Sequence, residues 1–301
     1  AAMLLSFVLF LLMAERISRG RARYHNTTGR NRPMAGARLR GVAALLAVIG
    51  CLLPLLLGFV LPACLLLKMA LAEGDAQFGE RFLLLSRNSF FLAGVTSLIA
   101  VLLALLLAYA ARLSKSSLAT GLNRLVGLGY AVPGAVIAVG VLIPVTRLDN
   151  WLAGQWEQWF GSNPGLLLTG GIAALVYAYL VRFLAVALHT VESSLAKITP
   201  NMDDAARCLG LGQGATLRRV HAPMLRGSVF TAGLLVFVDV MKELPATLVM
   251  RPFNFDTLAT QAYTLASDER LAEASTASLA IVAVGLLPLI ALSRQVSRAR
   301  K

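Results

Sequence analysis

Three charged residues stand inside a stretch otherwise apolar enough to cross a membrane. Asp239, Lys242 and Glu243 fall within residues 228–250. A charge at the centre of a bilayer costs about 2.5–3.5 kcal/mol on insertion scales, so such side chains belong on a bundle interior or a water-filled path. Spacings of three and four residues place Lys242 and Glu243 beside Asp239 on one helical face. Asp239 and Glu243 offer oxygen ligands, which suit a hard cation. With a lysine alongside they make a weak transit site rather than a tight one. The trio also fits two other roles, an ion-pair knot that holds the helix and an interfacial cluster towards the end of the span. Pro245 follows, removes a backbone hydrogen bond and predicts a kink.

Other chemistry is sparse. No G-x-x-x-x-G-K-[ST] loop is present to cradle phosphates, so the sequence predicts no ATPase site and no enzyme activity of its own. Cys51 and Cys64 lie in an apolar run and Cys208 in a basic loop, which makes no disulfide framework. His25, His189 and His221 all sit in arginine-rich segments and read as solvated or interfacial. No Cys/His cluster has metal-site spacing, and no cofactor is expected.

The second informative stretch is a polar loop between two apolar segments. It carries Asp204, Ala205 and Ala206, then Gly210, then Val220 and Pro223. Thr199 followed by Pro200 is a helix start, with Thr as N-cap and Pro at the first helical position. Asp203 and Asp204 fall in the first turns, where the helix dipole favours negative charge. Gly210 and Gly212 end this short helix. A second amphipathic turn over 214–221 leads to Pro223. Two short helices at an angle can enter a cleft on a partner, and two alanines leave room for close approach. The plainer alternative is an ordinary cytoplasmic loop with helical content.

The pattern acid-Ala-Ala-x3-Gly-x9-aliphatic-x-x-Pro resembles the coupling loop of bacterial ABC importer permeases, the inner-membrane components of binding-protein-dependent transport systems. The family commonly has Glu where this chain has Asp204 and Leu where it has Ala222. The run from Phe237 through Glu243-Leu244-Pro245-Ala246-Thr247 to Arg251-Pro252 and Thr257-Leu258-Ala259 resembles the ferric-iron branch. The resemblance implies a type I importer transmembrane domain whose loop residues Asp204, Ala205, Ala206, Gly210, Val220 and Pro223 engage a separate ATPase. It adds Thr247 and Arg251 to Asp239, Lys242 and Glu243 as path residues. It also implies a periplasmic binding protein that delivers Fe(III). Thiamine, polyamine, sulfate and phosphonate permeases share the fold and stay open as alternatives, as does an ion-driven secondary transporter.

These sites need helices to hold them. The chain is 57% hydrophobic and 14% charged, far more apolar than a soluble domain. Spans of the length a bilayer requires are predicted near 43–69, 88–111, 124–146, 166–188, 228–250 and 273–293. The chain is therefore expected to be an all-α polytopic membrane protein. Its net charge of +13 comes from arginines in loops that alternate with the spans, which sets topology and argues against nucleic-acid binding. Segments 15–41, 112–123, 189–226 and 294–301 are predicted to be cytoplasmic. Segments 70–87, 147–165 and 251–272, which carry most of the acids, are predicted outside, with Trp151, Trp156 and Trp159 at the membrane–water boundary.

The first residues are expected to be a distinct piece. Residues 1–14 are apolar and followed by Arg16, Arg19, Arg21 and Arg23, the reverse of a signal peptide. Fourteen residues cover about 21 Å of a roughly 30 Å core. They read as the truncated last helix of a preceding permease half, joined by a basic linker over 15–41 to the domain at 42–301. Ile17-Ser18-Arg19-Gly20-Arg21 and Val296-Ser297-Arg298-Ala299-Arg300 echo each other, as the flanks of two fused halves would. The partners expected are the ATPase, the binding protein, the N-terminal half or a second permease subunit, and the membrane itself.

Overall fold

The computed structural model describes residues 6, 10, 13, 14, 39–72, 79–114 and 116–299. The truncated helix and the basic linker expected over 1–14 and 15–41 lie outside the described residues, apart from a few isolated positions. The chain divides into two compact units, Ala1–Gly74 and Asp75–Lys301. In the first, α1 (Val42–Ala72) is long and apolar enough to cross a membrane and buries none of its residues within the chain. Apart from Lys68 it is apolar on every side, a composition that suits a membrane span. Its prolines, Pro54 and Pro62, bracket a π-helical turn at Leu56–Val60. Pro62 has no N–H to offer the Gly58 carbonyl, and the wider turn closes through Leu61 N–H to the Leu56 oxygen.

The second unit is also helical. It comprises α2 (Glu80–Ser114), α3 (Ser117–Gly127), a 3₁₀ turn (Leu128–Ala131), α4 (Gly134–Phe160), α5 (Ala173–Leu195), α6 (Pro200–Cys208), α7 (Ala222–Met241), α8 (Pro245–Met250), α9 (Leu258–Ser267) and α10 (Leu271–Ala299). A helical turn at Gln213–Thr216 and a π turn at Leu217–His221 run directly into α7. Among the described residues, six helical stretches have the length and hydropathy to span a bilayer.

Helices α2, α5 and α7 pack on one another and form the centre of this unit. Their contact is built from small side chains. α2 buries Ala93, Ala100, Ala104 and Ala108, α5 buries Ala174, Ala178 and Ala185, and α7 buries Ala232. Lipid tails are as apolar as leucine, so helices in a membrane gain little from hydrophobicity alone and associate through close packing. Alanine lets the backbones approach, and Leu92, Leu175, Leu188 and Val236 fill the space between.

Two expected spans are broken rather than kinked. Residues 124–146 are not one helix: α3 ends in the 3₁₀ turn, the chain extends at Val132 and Pro133, and α4 starts at Gly134. α4 then runs through the expected outer loop to Phe160, where Gly161 in the left-handed region (φ 67°) ends it. Trp151, Trp156 and Trp159 are thus on helix turns, not in a loop. Residues 228–250 divide at Lys242–Leu244 into α7 and α8. The expected start of a helix at 166 moves to Ala173, because residues 167–169 wrap the buried Asp149 carboxylate. It accepts hydrogen bonds from the backbone of Leu167, Leu168 and Thr169 and from the Thr169 hydroxyl.

Contacts pair the loop ends. Arg112 on α2 meets Leu195, Ile198 and Asp203. At the opposite end of α2, Arg81 donates to Gln261, Asn88 to the Asp256 carbonyl, and Ser89 accepts from Leu258 N–H. α9 is a helix inside an expected loop, opened by a reciprocal Thr257–Thr260 capping box.

Candidate functional site

The loop motif folds as its residues suggest, with one difference in facing. Thr199 takes the extended N-cap conformation, but its side chain makes no cap bond. The end of α6 is a Schellman turn: Leu211 N–H reaches the Ala206 oxygen at 3.0 Å and Gly210 N–H the Arg207 oxygen at 2.9 Å. Gly210 sits at φ 77°, so the glycine of the motif is required by the backbone. Asp204 pairs with Arg207 at 2.8 Å on the exposed side. Ala205 and Pro223 are exposed and Val220 is half-buried. Ala206 is only 4% exposed and faces the chain itself. Of the two alanines expected to leave room for a partner, Ala205 is exposed and Ala206 is not. The outward stripe of α6 is Met202, Ala205 and Leu209, and Leu209 is 81% exposed.

Asp203, adjacent to the motif, is the anchor. Its Oδ2 accepts from Arg112 Nη2 at 2.7 Å, and its Oδ1 lies 2.7 Å from His221 Nε2. Arg112 also donates to the carbonyls of Leu195 and Ile198, each at 3.1 Å. Burial alone would raise the Asp203 carboxyl, but the hydrogen bonds from Arg112 and His221 outweigh it and hold it below the usual carboxylate range. His221 was expected to be solvated or interfacial. It is instead 2% exposed, with the Tyr109 ring edge-on at 5.8 Å. Nothing in the spacing of positions 112, 203 and 221 announces this cluster.

The charged trio does not share one face. α7 ends at Met241, and Glu243 N–H closes a tight turn on the Val240 oxygen at 3.0 Å. The turn sends neighbouring side chains in different directions. Lys242 points outward, 58% exposed, and pairs with Asp239 at 2.8 Å. Glu243 turns inward, 6% exposed, and accepts from Arg182 Nη1 of α5 at 3.0 Å. Its Oε1 also receives Ala246 N–H at 3.3 Å, which caps α8. Lys242 therefore neutralises Asp239, and Arg182, which belongs to no sequence motif, neutralises Glu243. The signal for Arg182 is that it is a charge inside the predicted span 166–188.

Both helix breaks converge on that pair. A Cβ at Gly134, the first residue of α4, would overlap Arg182 and Glu243, and one at Gly129 would overlap the Val181 carbonyl. Glycine at these positions allows α3, the 3₁₀ turn and α4 to lie against α5. Thr247 is fully buried; its hydroxyl donates to the Glu243 carbonyl at 2.6 Å and meets the Tyr179 hydroxyl at 2.5 Å. Arg251 is not part of the cluster. It pairs with Asp256 in the following loop. Among the described residues, no three His, Cys, Asp or Glu side chains gather as a metal site. The two carboxylates offered as cation ligands are each already held by a cation.

Residues 100–301 match the model of the binding-protein-dependent transport system inner membrane component family. This chain belongs to that family. It is an inner-membrane, multi-pass transport component with no strand among the described residues. One relative is the Fe(3+)-transport system permease protein FbpB 2 of Haemophilus influenzae, 29% identical over 74% of this chain and 40% of the relative. Another is the putative 2-aminoethylphosphonate transport system permease protein PhnV of Salmonella typhimurium, 25% identical over 57% of this chain and 58% of the relative. The chain thus spans less than two thirds of the length of either. Its fold is like that of a chain in the crystal structure of a bacterial alginate ABC transporter in complex with an alginate pentasaccharide-bound periplasmic protein. That match has a TM-score of 0.60 at 17% identity and covers 84% of this chain and 94% of the other.

Proposed function

We propose that this chain is the permease half of an ATP-driven importer, and that its cargo is ferric iron handed over by a periplasmic binding protein. The observation that carries the coupling role is α6. It projects an exposed apolar stripe, Met202, Ala205 and Leu209, while its opposite side is bonded to the transmembrane helices through Asp203. The motif residues Asp204, Ala205, Ala206, Gly210, Val220 and Pro223 divide the work. Gly210 and Ala206 shape the segment, while Ala205, Asp204 and Pro223 are on its open side. The partner is a separate ATPase, and the translocation unit is completed by a second permease half. In this reading the end bearing Arg112 and α6 faces the cytoplasm, and the end bearing Asp149 and Asp256 faces out.

The path runs past the breaks at Pro133–Gly134 and Lys242–Leu244, where non-helical backbone at membrane depth is tolerated only if it is buried in protein or lines a water-filled cavity. Asp239 and Lys242 present charge there, while Glu243 and Thr247 hold the break in shape. Arg251 acts outside the path, on the loop before α9. Similarity to the FbpB 2 permease supports ferric iron. The test is uptake of labelled Fe(III) by cells that lack other ferric importers and carry this chain with its ATPase, binding protein and second half. Uptake that needs ATP and the binding protein is expected, and none would sink the iron assignment.

One observation favours a second reading of the cargo. The more exposed charge at the break is the Lys242 ammonium, not a carboxylate, which suits an anionic solute and accords with the similarity to PhnV. Competition separates the two: 2-aminoethylphosphonate in excess should leave iron uptake unchanged if the cargo is iron.

A further inference from the structure

We propose that Asp203, Arg112 and His221 form the joint through which the coupling helix moves the transmembrane helices, with Asp203 as its positioning residue. The inference rests on the coupling role proposed above and assigns to these three residues a task beyond holding the loop in place.

The argument starts from the two sides of α6. Met202, Ala205 and Leu209, at spacings of three and four, make its outer stripe. Asp203 and Ala206, also three apart, face the chain. A partner that pushes on the outer stripe acts on the transmembrane unit through whatever the inner side grips. That grip is one carboxylate with two charge-assisted or polar bonds at 2.7 Å, to Arg112 at the end of α2 and to His221 at the entry to α7. The guanidinium continues the chain of bonds to the Leu195 and Ile198 carbonyls at the end of α5. One side chain of α6 is therefore tied to α2, α5 and α7, the three helices that pack together at the centre of the unit.

The bonding is directional, which apolar packing is not. His221 Nδ1 is buried and has no hydrogen-bond partner among the described residues, which favours the tautomer with its proton on Nε2, donated to Asp203. A carboxylate held by donors from two directions resists displacement along both. Beside it lies a cavity of about 130 Å³ lined by Tyr109, Arg112, Asp203, Arg207, Thr216 and His221. The joint therefore borders free space on one side, beside the packed His221 ring.

The test reads whether ATP binding at the partner still reaches the path. Cys51, Cys64 and Cys208 are replaced by serine, and Tyr130→Cys, near the helix breaks, reports accessibility to a water-soluble thiol reagent. The complete permease with its ATPase is labelled with and without ATP. In the otherwise unaltered chain the labelling rate should change on ATP binding. Asp203→Ala should shrink that change at least about fivefold, the lower range of ordinary coupling between sites, with the ATPase still bound in pull-down. His221→Leu should do the same, while His221→Gln, which keeps a donor towards Asp203, should retain most of the response. A full response in Asp203→Ala, or in His221→Leu where Asp203→Ala does not fold, overturns the joint and leaves the coupling role standing. Failure of the ATPase to associate with the unaltered permease overturns both.

Discussion

Glu243 is a residue whose charge is spent on structure. It is buried, it takes a hydrogen bond from Arg182, and it caps α8 through Ala246 N–H. Glu243→Gln leaves the Arg182 guanidinium without its counter-charge. Loss of one partner of a buried pair costs about 3–5 kcal/mol, and less here, about 2 kcal/mol, because Arg182 is 22% exposed. A lower thermal midpoint in detergent is expected for Glu243→Gln. Arg182→Met combined with Glu243→Leu should recover most of it, since an apolar pair of similar volume is tolerated. No recovery in the double variant would mean that the charges act on more than each other. The pairing of Glu243 could not be read from the sequence. Helical spacing pointed to Lys242, and the break after Met241, which redirects Glu243 to a residue 61 positions earlier, depends on contacts with α5 that no local pattern encodes.

Asp203 makes a pH prediction at the same scale. Its folded carboxyl lies below the usual range, so its contribution to stability is complete above the unfolded value, about pH 4, and is lost as pH falls through the lower folded value. Hydrogen exchange in α6 should therefore accelerate on acidification below about pH 4. The acid-dependent part should be absent in Asp203→Asn. Equal acceleration in both proteins would place the acid sensitivity elsewhere.

At the scale of elements, α6 separates two substitutions that look alike in sequence. Leu209 is on the outer stripe and Ala206 faces inward. Leu209→Asp should leave the fold within about 0.5 kcal/mol, as exposed changes do, yet weaken ATPase association. Ala206→Arg should lower stability, because a long cation replaces a buried methyl group. Thermal midpoints and pull-down on the two variants check this, and equal loss of stability in both would contradict the facing of the helix. The α6 segment was legible because its signals are local: Pro200 at the first helical position, and Gly210 where the Schellman turn needs a positive φ. The long apolar spans were legible for the same reason. The breaks at Pro133–Gly134 and Lys242–Leu244 were only half legible, since proline marks a weak point but the packing of Gly129 and Gly134 against α5 decides how far the helix opens. The helical course of 147–160 was missed because charge and tryptophan content marked it as a loop, and both suit the end of a helix at a membrane boundary equally well.

Across the whole molecule, Ser162 and Asn254 are expected on the outer side and Leu209 on the cytoplasmic side. Reporter fusions at these positions should follow that division, and an inner signal at Ser162 would overturn the charge-based orientation. The central claim is that an ATPase outside this chain drives import through α6. Its most direct measurement is transport in vesicles that hold the complete permease and the ATPase, with binding protein loaded with labelled Fe(III) on the outer side and ATP within. Accumulation of label that requires ATP and falls sharply with Leu209→Asp is expected. Accumulation driven by a proton gradient without the ATPase, or unchanged by Leu209→Asp, would contradict it.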